Sequence, residues 1–158
     1  MEMVKSFLIC AGAAAWMVPY SAAADFSLTI GNAFAALVPG NGSTPVVKKT
    51  DKSALFAVRF QDCPSLDQAK ISGLAEGLVA GARASAPVNI QAAAPGIYVV
   101  SLAPNQQQGL WVVSLSATCG SAKAGALVPI GPQGFLRDQI KLLPRPATKA
   151  EIEAALRE

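Results

Sequence analysis

The chain has no histidine, and its three methionines, Met1, Met3 and Met17, all lie near the N-terminus. Without an imidazole there is no histidine general base and no histidine-activated nucleophile. Zinc and copper sites draw on His, Cys and Met, and past the N-terminal stretch only Cys63 and Cys119 remain from that set. Calcium needs only oxygens, but Asp51, Asp62 and Asp67 form no Asp-x-Asp cluster. No metal and no cofactor is therefore expected. Ser-x-x-Lys, Gly-x-Ser-x-Gly, a phosphate-cradling glycine loop and a dinucleotide fingerprint are missing as well. Charge is sparse: Asp, Glu, Lys and Arg make up 15% of the chain. The formal net charge of +3 is scattered without a basic stripe, which reads as solvated surface and not as a nucleic-acid interface.

What is present begins with an export signal. Lys5 gives a positive start, Phe7 to Val18 is apolar, and Ala22-x-Ala24 has the small-x-small form of a cleavage site. The expected cut lies between Ala24 and Asp25. Pro19 and Tyr20 interrupt the apolar run before it reaches the length of about 20 residues that crosses a bilayer. The expectation is a signal peptide over 1–24, no stable membrane anchor after its removal, and a periplasmic or secreted product. Cys10 leaves with the signal, so Cys63 and Cys119 form an even pair in an exported chain. Such a pair predicts a disulfide, and it lacks the Cys-x-x-Cys spacing of a reactive thiol motif.

The strongest pattern runs from Pro95 to Cys119. Trp111, Val113, Leu115, Ala117 and Cys119 alternate with Leu110, Val112, Ser114, Ser116 and Thr118. A period of two predicts a strand with one face on a core and one in water. Its apolar-face position puts Trp111 in the core. Ile97 to Leu102 is apolar almost throughout, like an interior strand, and a polar turn containing Asn105 and Gly109 would join the two. Pro95-Gly96 ahead of Tyr98 allows a tyrosine corner or an ordinary half-buried strand aromatic.

Further strands are expected at Asp25–Ile30, Ala54–Phe60, Lys70–Val79, Arg83–Gln91 (broken by Pro87) and Ala124–Ile130. Gly73 and Gly77 suggest that Lys70–Val79 is bent or bulged. Pro39 to Ser43 reads as a turn, and Thr44 to Thr50 as an edge segment. Pro129, Gly131, Pro132 and Gly134 would end regular structure. Thr148 and Glu151 have capping-box spacing before a short helix, whose Ile152, Ala155 and Leu156 share one face. That helix either docks on the domain, frays, or meets a partner. Many short strands with Gly/Pro turns predict an all-β fold: an antiparallel β-sandwich over 25–143, then a tail over 144–158 with a short C-terminal helix.

Pro95-Gly96-Ile97-Tyr98 followed by Gly109-Leu110-Trp111-Val112-Val113-Ser114-Leu115 resembles small exported immunoglobulin-like domains of the YtkA-like and FixH-like type. The resemblance covers core and turn positions and implies an immunoglobulin-like sandwich. Metal delivery in that group relies on His and Met, which this chain lacks beyond its signal, so no metal site carries over. The function expected is a non-catalytic binding or accessory module whose partner is an envelope protein. The alternative is a small carboxylate-dependent hydrolase acting on cell-wall or polysaccharide material, with Asp62, Asp67, Glu76 and Asp138 as the candidate acids.

Overall fold

The computed structural model describes residues 25–33, 53–102 and 109–158. The signal segment with Ala24, the turn over 39–43, the edge segment over 44–50 and the polar stretch with Asn105 lie outside the described residues. Asp25 is the first residue within them. The strands in chain order are β1 (Ser27–Gly31), β2 (Ala54–Gln61), β3 (Lys70–Val79), β4 (Ala82–Pro87), β5 (Asn89–Ala94), β6 (Ile97–Ser101), β7 (Leu110–Cys119), β8 (Ala122–Gly131), β9 (Gly134–Phe135) and β10 (Lys141–Leu143). One helix, α1 (Lys149–Ala155), follows.

Two antiparallel sheets face each other as a sandwich. One has the order β1-β2-β6-β5; the other runs β10-β8-β7-β3-β4, with β9 added beside β8. The alternation in β7 holds: Trp111, Val113, Leu115, Ala117 and Cys119 are all buried in the core. They meet Leu28, Phe56, Val58, Phe60 and Val100 from the other sheet, and Phe26 just ahead of β1. The outer face of β7 differs from the expectation of water. Val112 is buried there with Leu127, because Ile152, Ala155 and Leu156 of α1 cover both. The helix therefore docks on the domain. It has the capping box that its sequence spacing predicts: Glu151 N–H donates to Thr148 Oγ1 at 3.3 Å, and Thr148 N–H donates to Glu151 Oε2 at 2.7 Å.

β6 and β7 are not partners. β6 lies between β2 and β5, whereas β7 lies between β3 and β8. The stretch joining β6 to β7 is too long for a tight two-residue hairpin. Arg83–Gln91 likewise divides. β4 ends at Pro87 and β5 begins in the opposite sheet, since proline has no N–H to extend the ladder. β3 carries no bulge; its register with β7 is unbroken from Lys70↔Thr118 to Leu78↔Leu110. Its glycines make room instead. A Cβ on Gly77 would lie 2.5 Å from Trp111 Cδ2, and one on Gly73 would lie 2.9 Å from Leu115 Cδ2.

β8 is not the last strand, and Pro129 lies inside it opposite Val112. Leu136 N–H donates to the Pro129 carbonyl at 2.8 Å. The backbone of Pro129 thus faces away from β7, and its missing N–H costs that ladder nothing. Tyr98 forms no corner. Among the described residues its hydroxyl has no hydrogen-bond partner, and its ring packs on Phe60 with centroids 5.1 Å apart.

The β3–β4 hairpin closes through Ala80-Gly81, both at positive φ (51° and 80°). That is the type I′ pattern, which prefers Asn or Gly at its first position. Ala80→Asn is expected to stabilise the protein by about 0.5–1 kcal/mol. A higher denaturant midpoint at unchanged slope would show it; a lower midpoint would contradict it.

Candidate functional site

The departure of β4 opens a concavity. β4 pairs with β3 only from Leu74 to Val79. After Pro87 the chain crosses to the other sheet, which leaves Lys70–Gly73 of β3 without a neighbour on that side among the described strands. Between this open edge and β5 lies a wide-mouthed groove of about 690 Å³. That size falls within the ordinary range for ligand sites. Its apolar wall is Ile71, Ile90, Ala92 and Tyr98; Lys70, Ser72, Ser116 and Thr118 supply the polar rim. The register explains the rim. Ser72 pairs with Ser116 and Lys70 with Thr118, so four polar side chains share the outer face. Lys70 makes no ion pair among the described residues.

The disulfide lies next to the groove in the chain, since Cys119 follows the rim residue Thr118. Cys63 and Cys119 Sγ atoms are 2.04 Å apart, with Cα atoms at 5.7 Å. Cys63 follows the end of β2 in one sheet, and Cys119 ends β7 in the other. The bridge thus ties the two sheets together at the end where a 3-10 turn (Leu66–Gln68) leads through Ala69 into the open edge of β3.

Two smaller hollows are lined by described residues. One of about 500 Å³ is lined by Asn32, Leu55, Phe135, Arg137 and Asp138, among others. The other, of about 250 Å³, lies where Pro146-Ala147 crosses Ser72, Ser114 and Leu115. The four candidate acids stay apart. Glu76 accepts from Arg83 Nε at 3.0 Å. Asp138 borders the 500 Å³ hollow, and Asp62 and Asp67 are exposed beside the disulfide. None of the three hollows is lined by two carboxylates. No three His, Cys, Asp or Glu cluster among the described residues. No described helix is long and apolar enough to cross a membrane.

Ion pairs ring α1. Arg83 on β4 links Glu76 to Glu153 of the helix, with the Glu153 contact at 2.8 Å. Arg145 holds Glu151 at 2.9 Å, and Lys141 holds Glu158 at 2.6 Å. The Arg145 guanidinium first, then the Thr148 backbone and hydroxyl, lower the Glu151 pKa from 4.5 to about 2. Glu153 is lowered too, chiefly by its bond from Arg83. Depressed carboxylates stabilise the docked helix fully above about pH 4.5 and lose that effect as pH falls through the folded value. The α1 amides are therefore expected to lose exchange protection between about pH 4.5 and 2, ahead of the core strands. Helix and core opening together at one pH would contradict this.

Comparison with protein-family models, curated proteins and solved structures returns no match. In the sequence nothing points to the groove beyond Pro87, which marks where a strand must stop but not where the next one goes.

Proposed function

We propose that the chain is an exported, non-catalytic binding or accessory module of the cell envelope, with an immunoglobulin-like sandwich as scaffold and the β3–β5 groove as its contact surface. The groove carries this reading: an apolar wall with one tyrosine, a hydroxyl rim and one unpaired lysine are a recognition surface in composition. The cysteine bridge suits an oxidising compartment, and the Ala22-x-Ala24 signal suits export. The Pro-Gly-x-Tyr and Gly-x-Trp-x-Val-x-Leu resemblance supports the finer fold assignment.

Photo-crosslinking in the producing cell tests it. A photoreactive residue at Thr118, on the groove rim, is expected to give a discrete, reproducible adduct. The same residue at Asp138, outside the groove, is expected to give none. Equal labelling from both positions, or none from Thr118, would overturn the reading.

A further inference from the structure

We infer that the groove is a strand-addition site, which takes a short extended segment of a partner polypeptide carrying an acidic side chain. This rests on the binding-module reading above and names what the module binds. The backbone supplies the first reason. Ser114 Oγ donates to the Leu74 carbonyl at 3.2 Å, so the even-numbered residues of β3 turn their backbone groups toward β7. Alternation then turns those of Ile71 and Gly73 to the opposite side. Next to Leu74–Val79 that side belongs to β4; next to Ile71 no described strand takes it. The pairing of Leu74 with Pro87 engages the Gly73 carbonyl but not its amide. The Gly73 N–H and both backbone groups of Ile71 are thus left facing the groove, and no turn or loop bond uses them.

Side chains supply the second reason. A strand laid in line with β4 would point alternate residues inward, over Ile71, Ile90 and Tyr98, and outward, along the Lys70, Ser72, Ser116 and Thr118 rim. Lys70 stands on the rim of the groove and makes no ion pair among the described residues. An acidic residue in the added strand would meet that charge at the groove itself. The open stretch is short, about four residues or roughly 13 Å. Main-chain bonds would therefore set register, and the apolar wall and Lys70 would set preference.

A phage-displayed library of random octapeptides, selected on chain 25–158 and counter-selected on Lys70→Glu, tests this. Enriched peptides are expected to carry Asp or Glu and to bind Lys70→Glu at least about tenfold more weakly. In the complex, amide exchange at Ile71 and Gly73 is expected to slow about tenfold or more. Methylating alternate peptide amides on the bonding side is expected to abolish binding. No enrichment over the variant, or binding with exchange at both amides unchanged, overturns strand addition. If that happens while the Thr118 crosslink still forms, the module reading stands without this occupant. If the crosslink fails too, both fall.

Discussion

Replacing Cys63 and Cys119 together with alanine is expected to lower stability by about 4 kcal/mol and the melting temperature by roughly 15 °C. The bridge spans 56 residues of sequence. Opening it returns a long loop to the unfolded ensemble, and most of the lost stability comes from the entropy released there. The native side of the balance changes less. Cys119 is buried at 1% exposure and alanine is slightly smaller, so the cavity left behind costs little beside the freed loop. The location matters as much as the size. β2 and β7 lie in different sheets, so no ladder hydrogen bond joins them, and the bridge is the covalent tie across the sandwich. Differential scanning calorimetry of oxidised, reduced and double-alanine protein checks it. The last two are expected to coincide well below the first. Equal melting in all three, or free thiols in protein prepared under oxidising conditions, would defeat the account.

The features legible in the sequence are those set by short-range chemistry. The cysteine pair followed from an even count beyond the expected signal. The Thr148–Glu151 capping box followed from a spacing of three, and the core face of β7 from alternation. What alternation does not encode is which strands become neighbours. Ile97–Ser101 and Leu110–Cys119 are close in sequence and both apolar, yet they sit in opposite sheets. The side-chain pattern of a strand reports its two faces and is silent about its two edges. The groove is an edge feature, so its residues carried no signal: Lys70–Val79 and Arg83–Gln91 read as strands, with nothing in either to mark an open edge. Val112 shows the same limit. Its cover arrives on a helix far along the chain, latched by Arg83 and Glu153, which are 70 residues apart.

Gly77 gives a case where two physical expectations have opposite sign. Glycine inside a strand is normally unfavourable, and a β-branched replacement should gain up to about 1 kcal/mol by propensity. Packing predicts the reverse. Gly77 pairs directly with Trp111, and the indole lies over it, so a new Cβ would meet Trp111 Cδ2 at 2.5 Å and the Leu110 carbonyl at 2.9 Å. Trp111 is 3% exposed and packed within the core cluster, so it has little room to retreat. Gly77→Val is expected to cost about 2–3 kcal/mol. Trp111→Ala alone is expected to cost about 3–5 kcal/mol, through lost burial and the cavity left behind. The decisive quantity is the coupling between the two. With the indole gone, the valine gains room and fills part of the cavity, so its cost should fall to about 1 kcal/mol or less, the remainder coming from the Leu110 carbonyl. Urea unfolding of the four proteins in this cycle yields that difference. Additive effects would mean that glycine is retained at position 77 for its backbone and not for the ring above it.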